Sequence, residues 1–176
     1  MQRKTIFFLF ILIFFSTSCS LFRAPTKPEA KTEKAVSSAY ADYSEKFGYT
    51  LTGKEDLDLL KVVDRWLGVP YRYGGCSQSG TDCSCLIGNI YREVYGVELP
   101  RRSVDISKQA KKISRDDLQQ GDLIFFKISR HKISHVGLHI SRGYFIHAST
   151  SSGVVINHWS EPYYKERIAF SGRIKK

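Results

Sequence analysis

The sequence has few cysteines, few acidic residues and no long apolar run. Its 176 residues include four cysteines, and 17 Asp and Glu stand against 27 Lys and Arg, which gives a formal net charge of +10. The longest apolar run, residues 6–15, is too short to cross ~30 Å of hydrocarbon as a helix and predicts an export signal instead. The basic excess favours an anionic partner such as nucleic acid, anionic lipid or an acidic wall polymer. The length fits one domain, and we find no internal repeat.

The first residues predict export and a lipid anchor. A basic start, Met1 to Lys4, precedes the apolar run, and Ser16-Thr17-Ser18 leads to Cys19 as in a bacterial lipobox, although Ser16 departs from the usual aliphatic residue. We expect a signal peptide over 1–18, a lipidated Cys19 with a flexible tether over 19–50, and a catalytic domain over 51–176. Plain secretion and a retained anchor are the alternatives. Export makes nucleic acid a poor partner. Ser20 favours an outer membrane, with the protein facing the periplasm.

Lipidation of Cys19 leaves an odd number of cysteines for the domain. Cys76, Cys83 and Cys85 remain, so at least one thiol is free or pairs outside the chain. Residues two apart on a helix point to different sides, which makes Cys83 to Cys85 a poor bridge and leaves Cys76 with Cys85 open.

Cys83 lies where a glycine-bearing turn gives way to an amphipathic helix. Leu86, Ile87, Ile90 and Val94 follow it at the spacing of one helix face. Free N–H groups and the dipole at a helix N-terminus favour a thiolate and can lower a cysteine pKa from ~8.5 towards ~3.5 to 7.5. The position therefore suits a nucleophile, against the alternative of a buried structural thiol.

The rest of the chain predicts helices first and strands second. Helices are expected from the capping box Thr52–Glu55 to Gly68, from Asp82 to Gly96, and from Ser103 to about Lys112. Strands are expected over residues 122–127, 134–140, 144–149, 154–159 and 168–174. This order predicts an α+β fold in which the N-terminal helices pack on an antiparallel sheet of about five strands.

A nucleophilic thiol needs a base, and five histidines are available. His135 begins an apolar strand beside a glycine, and His147 lies in mid-strand, where a histidine is costly unless it is hydrogen-bonded. His131 and His158 look like surface residues, and His139 stays open. A zinc site built from Cys83, Cys85, His135 and His147 is disfavoured, because these residues lack the Cys-x-x-Cys or His-x-x-x-His spacing of zinc ligands. We expect no metal and no cofactor.

Six short motifs occur in order along the chain: Gly68-Val69-Pro70-Tyr71-Arg72-Tyr73-Gly74-Gly75, Thr81-Asp82-Cys83-Ser84, Leu99-Pro100-Arg101, Gly121-Asp122-Leu123, His135-Val136-Gly137 and Phe145-Ile146-His147-Ala148. Together they resemble the NlpC family of cell-wall cysteine peptidases, nearest to the Spr-type murein endopeptidase lipoproteins. The segment Glu161-Pro162-Tyr163 also fits the Spr-type branch. The resemblance implies a circularly permuted papain-like fold.

The resemblance also implies roles for single residues. Cys83 matches the nucleophile, His135 the base and His147 the residue that orients this base. Tyr71 matches a tyrosine near the cysteine that helps to stabilise the oxyanion, although it could be a plain core aromatic. The expected contacts with the substrate come from Asp82, Ser84 and Arg101. Cys85 stands where the family usually has glycine. Three interpretations stay open for it: a disulfide with Cys76, redox control, or no role.

The implied function is hydrolysis of amide bonds in the stem peptides or crosslinks of peptidoglycan during cell-wall remodelling, by a monomer held to the membrane by its lipid. The bond can be the one after D-glutamate or the D-Ala to diaminopimelate crosslink. The alternatives are a catalytically silent wall-binding lipoprotein and an amidase or acyltransferase on the same fold.

Overall fold

The computed structural model describes residues 27–128 and 132–176, with side chains from residue 32 onwards in the first helix. The predicted signal peptide, Cys19 and His131 lie outside these residues. The helices are α1 Lys27–Phe47, α2 Leu57–Trp66, α3 Cys83–Tyr95, α4 Ser103–Gln109 and α5 Pro162–Lys165. The strands are β1 Cys76–Ser77, β2 Gly80–Thr81, β3 Lys111–Ile113, β4 Leu123–Phe126, β5 His135–Ser141, β6 Tyr144–Ser149, β7 Gly153–His158 and β8 Ile168–Arg173. The predicted α+β class is confirmed.

The main sheet has the strand order β3-β8-β4-β5-β6-β7, and all its neighbouring strands are antiparallel. The five predicted strands are all present within one or two residues of their expected bounds. The sixth strand, β3, corrects the prediction that the helix after Ser103 reaches about Lys112. The helix ends at Gln109 because Ala110 is extended and Lys111–Ile113 hydrogen-bond to the exposed edge of β8.

Successive side chains of β5 and β6 point to opposite faces of the sheet, so each face carries its own apolar layer. Val136, Leu138 and Ile146 belong to the main core, together with the α3 residues Leu86 and Ile90, and all five are fully buried. The other face of the sheet carries a smaller cluster. It consists of Ile124, Phe126, Phe145 and Tyr164. At ~25 cal/mol per Å² of apolar surface, the main core is the larger source of stability.

Residues 27–47 form a helix, which differs from the flexible tether expected there. Tyr40, Tyr43 and Phe47 are three and four residues apart, so they share one helix face and pack against the main core. The Tyr40 hydroxyl also donates to the backbone oxygen of Glu55. These aromatic contacts, together with buried Tyr49, order a segment whose composition alone indicates a linker.

The start of α2 also differs from its prediction. Asp56, not Thr52, is the N-cap, and its side chain accepts from the backbone N–H groups of Asp58 and Leu59. The expected contact between Thr52 and Glu55 does form, since the Glu55 carboxylate accepts from the Thr52 N–H at 2.9 Å. This hydrogen bond closes a turn just before α2 and is not part of the first turn of the helix.

No helix in the part of the chain that the structure describes is long and apolar enough to span a membrane.

Candidate active site

The N-terminus of α3 is built around Asp82. Its carboxylate caps the helix by accepting from the backbone N–H of Cys85 at 2.9 Å, and Gly96 closes the other end in the left-handed conformation that glycine favours. Cys83 is therefore the first residue of the helix, as predicted, and it is 8% exposed. The backbone N–H groups of Val136, Ser84 and Cys83 itself act to lower the pKa of its thiol.

Cys83 and both predicted catalytic histidines line one small cavity of about 160 Å³. His135 begins β5 and His147 lies on β6, and their rings face the smaller cluster, where they contact Phe126 and Phe145 respectively. The neighbouring strand residues point to the other face, towards α3. The cavity is thus formed where the helix N-terminus meets the end of the sheet.

The two histidines are hydrogen-bonded to each other. His135 Nε2 lies 2.9 Å from His147 Nδ1, and both rings are nearly inaccessible to solvent. This bond occupies Nε2 of His135 and leaves its Nδ1 for the cavity that it shares with Cys83. The structure thus brings together the three residues that the sequence analysis assigned to nucleophile, base and orienting residue.

Burial keeps the thiol and the imidazole uncharged at neutral pH. Loss of solvent raises the pKa of Cys83 to about 11, although nearby N–H donors oppose the rise. The same cause, followed by the charge of His147, lowers the pKa of His135 to about 3. The lowered cysteine pKa expected from the helix N-terminus is therefore outweighed by desolvation, and the thiol needs a base to release its proton.

The predicted substrate-binding residues form a network on the other side of Cys83. Arg101 donates from Nη1 to Asp82 Oδ1 at 3.0 Å and from Nη2 to Asp82 Oδ2 at 2.5 Å. It also donates to the Ser84 hydroxyl at 2.9 Å. The guanidinium side chain stays 48% exposed, so one of its faces is open to a ligand. With Cys83, these three residues line a second cavity of about 610 Å³.

Tyr71 lines both cavities beside Cys83. Its backbone is held by an isolated bridge to Thr81, immediately before the helix cap. Burial, followed by the charges of Cys83 and Asp82, raises the pKa of its hydroxyl. A protonated hydroxyl next to the thiol is a donor that could serve an oxyanion, so the position agrees with the role that the resemblance implies.

The other histidines that the structure describes lie away from the cavity. His139 is buried, and its Nδ1 donates to the Gln119 carbonyl oxygen at 3.0 Å while its Nε2 accepts from the Gly143 N–H at 3.2 Å. His158 bonds at a turn to Ser160 Oγ and the Arg142 backbone. Within the described ranges, no group of three or more His, Cys, Asp or Glu side chains could hold a metal ion.

The second cysteine of the helix has a structural partner. Cys85 forms a disulfide with Cys76, and Cys83 stays free. Of the readings left open for Cys85, pairing is the one observed. The bridge ties the short β1–β2 hairpin to the first turn of α3 and leaves the nucleophile position untouched.

Three polar residues next to the histidines were missed by the sequence analysis. Asn157 on β7, Tyr164 on α5 and Glu161 before α5 form hydrogen bonds with His147 or with one another. Glu161 lies in a segment noted only for its resemblance to the Spr-type branch. The pairing of β6 with β7 places Asn157 diagonally beside His147. Only the register between these strands indicates this contact, because no local motif contains both residues.

The buried histidines predict a stability that falls in mild acid. The pKa values of His135, His139 and His147 are lowered by burial, so the unfolded chain binds protons below about pH 6.5 that the folded chain refuses. The free energy of unfolding should therefore decrease from pH 6.5 to 4.5, by about 1 kcal/mol per pH unit for His135, and His139 and His147 should add to the loss in the same direction. Urea unfolding across this range measures the slope. The His135→Gln variant should have a shallower slope, and equal slopes would contradict the assignment.

These elements and side chains have the arrangement of a papain-like α+β domain with a cysteine and two histidines at one cleft. Residues 68–173, more than half of the chain, match the model of the NlpC/P60 family, and the chain belongs to this family. The match lies within the predicted domain of residues 51–176.

Named relatives carry related activities. The chain is similar to Murein DD-endopeptidase MepS/Murein LD-carboxypeptidase of Escherichia coli (strain K12), with 42% identity over 117 residues covering 65% of this chain and 62% of that protein. It is 39% identical over 119 residues to a Probable endopeptidase NlpC homolog of Haemophilus influenzae, covering 68% and 63%. The chain thus spans less than two thirds of the length of these relatives.

A solved structure shares the fold. An NlpC/P60 family protein from Bacillus cereus superposes with a TM-score of 0.61 and 34% identity, over 66% of this chain and 39% of that one.

Proposed function

We propose that this protein is a cysteine endopeptidase that hydrolyses amide bonds in peptidoglycan peptides. The observation that supports this most strongly is the single small cavity lined by Cys83, His135 and His147, in which the two histidines are hydrogen-bonded at 2.9 Å. A nucleophile, a base and a residue that orients the base are the parts that nucleophilic catalysis needs.

The reaction begins with an uncharged Cys83 thiol and an uncharged His135 imidazole. His135 Nδ1 takes the proton from the Cys83 thiol as the substrate carbonyl arrives, and the sulfur attacks the carbonyl carbon. The oxyanion that forms can accept from the backbone N–H of Cys83 and from the Tyr71 hydroxyl. Protonated His135 then gives its proton to the leaving amine nitrogen, and the C–N bond breaks to leave a thioester on Cys83.

Water completes the cycle. His135 takes a proton from a water molecule, whose oxygen attacks the thioester carbonyl. The C–S bond then breaks, and His135 returns the proton to the leaving sulfur. The products are a peptide carboxylate and the free Cys83 thiol. Since the pKa of His135 is lowered to about 3, its base form persists in mildly acidic solution.

The larger cavity supports a charged peptide substrate. The guanidinium of Arg101 is fixed by Asp82 and Ser84 but stays half exposed. This arrangement suits a stem peptide, whose carboxylates can pair with arginine in a bidentate geometry. The formal charge of +10 adds a general attraction to an acidic wall polymer.

The names of the relatives favour the murein substrate and, for the 42% identical protein, a DD-endopeptidase activity. We therefore propose the D-Ala to diaminopimelate crosslink as the first bond to test. Cys19 would carry the lipid that holds the domain at the cell envelope, on the periplasmic side of an outer membrane. No partner other than the wall peptide and this membrane is proposed, and nucleic acid is not among them.

Digestion of purified crosslinked muropeptides, followed by mass spectrometry, tests this function. The expected products are the two uncrosslinked stems, whose masses add up to the mass of the crosslinked substrate plus one water molecule. Loss of a dipeptide from the stem instead would assign the cut to the bond after D-glutamate. Wall binding without any hydrolysis under reducing conditions would favour the silent scaffold over the peptidase.

A further inference from the structure

A chain of hydrogen bonds continues from the two histidines to a carboxylate. His147 Nε2 lies 2.9 Å from Asn157 Oδ1, and Asn157 Nδ2 lies 3.1 and 3.0 Å from the two carboxylate oxygens of Glu161. Four side chains are thus linked in series behind the thiol. No step of the proposed mechanism uses the outer two.

The end of this chain is anchored to the backbone. Glu161 precedes α5, and its Oε1 also accepts from the backbone N–H of His158 at 2.7 Å. Asn157 is held in β7 opposite Phe145, on the same sheet face as His147. The carboxylate therefore has a fixed place, and the strand pairing holds the Asn157 backbone beside His147.

The Glu161 carboxylate determines which group donates and which accepts in each hydrogen bond of this series. An ionised carboxylate only accepts, so the Asn157 amide must turn its NH₂ group to Glu161 and its oxygen to His147. That oxygen also only accepts, so His147 Nε2 must carry a proton and donate it. His147 Nδ1 is then an acceptor, and His135 Nε2 must donate to it. The remaining nitrogen, His135 Nδ1, is left unprotonated on the side of the cavity.

Without the Glu161 carboxylate, the hydrogen bonds among Asn157, His147 and His135 could also form with donors and acceptors exchanged. The Tyr164 hydroxyl lies 3.1 Å from His147 Nε2 and 3.2 Å from Asn157 Oδ1. If the amide flipped, Tyr164 or the Asn157 NH₂ group could donate to His147 Nε2. His147 would then donate from Nδ1, and His135 would carry its proton on Nδ1, facing the thiol as a donor and unable to act as the base.

We propose that Glu161 and Asn157 are positioning residues that fix the tautomers of His147 and His135, so that the base nitrogen of His135 faces Cys83. The proposal rests on the thiol chemistry of the proposed function. It assigns a role to the Glu161-Pro162-Tyr163 segment that the catalytic residues alone leave unexplained.

The surroundings of His147 are consistent with this assignment. Its titratable neighbours are His135 from β5, Tyr164 from α5 and Glu161 from the preceding turn, with Cys83 of α3 lining the same cavity. Burial lowers the pKa of His147, and the bond to Asn157 and the charge of Glu161 oppose that shift. The two residues thus also favour the positive charge that the histidine pair takes up during catalysis.

Nitrogen-15 NMR of the imidazole rings tests the proposal without any substrate. In the wild-type protein both His135 and His147 should show protonated Nε2 and unprotonated Nδ1. In Glu161→Gln the amide of Asn157 is free to flip, and a second tautomer or exchange-broadened ring signals should appear. A protonated Nδ1 on either histidine of the wild type, or unchanged ring signals in Glu161→Gln, would overturn the proposal.

Kinetics provide the second readout. Glu161→Gln and Asn157→Leu should lower kcat by about tenfold to a hundredfold, the range seen when a partner that orients a metal-binding histidine is lost, with little change in KM. Alkylation of Cys83 by iodoacetamide at pH 7 should slow in parallel. Because alkylation needs no wall peptide, it separates failure of this proposal from failure of the proposed substrate.

Two further variants separate positioning from stability. Asn157→Asp combined with Glu161→Gln reverses donor and acceptor within the pair but still offers His147 Nε2 an acceptor, so alkylation should recover relative to Asn157→Leu. Glu166→Gln removes a carboxylate from the other end of α5, whose ion pair is with Arg167 at 3.5 Å, and should behave as wild type. No recovery in the double variant, with wild-type thermal stability, would contradict the proposal.

Discussion

Replacing Cys83 by alanine is expected to lower turnover of crosslinked muropeptides at least about a thousandfold. In serine peptidases the loss of the nucleophile leaves only the residual rate due to binding and the oxyanion site. The fold should survive, because the thiol is small and the helix cap belongs to Asp82. Rates from product chromatography, with circular dichroism of the same preparation, measure both parts.

A double variant, Cys76→Ser with Cys85→Ser, is the matched control for Cys83→Ala. It removes two cysteines of the same region and the disulfide between them, but it keeps the free thiol. Its turnover should remain measurable, with a loss of stability of about 2 to 3 kcal/mol, as expected for opening a short crosslinked loop. Substantial activity in Cys83→Ala would exclude a thiol mechanism at this position.

Replacing Asp82 by alanine is expected to affect both stability and activity. The carboxylate accepts from the backbone N–H groups of Cys85 and Gly74 and pairs with Arg101. An N-cap contributes about 1 kcal/mol, and a buried donor left without a partner costs about 1 to 3 kcal/mol. We expect a loss of about 2 to 4 kcal/mol in the free energy of unfolding and a fall of more than tenfold in kcat/KM.

Asp82→Asn separates the two effects. The amide oxygen can still cap α3, so the stability should be closer to that of the wild type, but the bidentate pairing of Arg101 is lost. Arg101→Met is the complementary variant: because Arg101 is half exposed but its partner Asp82 is buried, it should lower stability by less than Asp82→Ala does and mainly raise KM. Urea unfolding and steady-state kinetics measure both. Unchanged kinetics in all three variants would exclude this network from substrate binding.

The elements that carry the site could be predicted from the sequence because their signals are local. The helix stripe from Leu86 to Val94 and the glycine at position 96 define α3, and apolar segments bounded by turn residues define β4 to β8 within one or two residues. Cys83 at the helix start follows from these signals. The selection of His135 and His147 among five histidines also came from strand positions, before the resemblance gave them roles.

The features that could not be predicted depend on contacts between distant segments. β3 forms only because the edge of β8 is available, and the α1 aromatics become ordered only against the main core. Desolvation of Cys83 depends on how the sheet closes over the helix N-terminus, which reverses the direction expected for its pKa. Asn157 meets His147 through the register of β6 with β7, and Glu161 is linked to His147 through Asn157; no short motif points to either contact.

The central claim is that Cys83 forms a covalent bond to the acyl part of a peptidoglycan peptide. Rapid mixing of the wild-type protein with excess crosslinked muropeptide, quenching in acid within the first turnover, and mass spectrometry of the digested protein test it directly. The account predicts a thioester adduct with the mass of one stem acyl group on the fragment that contains Cys83, absent from the Cys83→Ala variant. Hydrolysis at full rate with no adduct on Cys83, or an adduct on another residue, would contradict it.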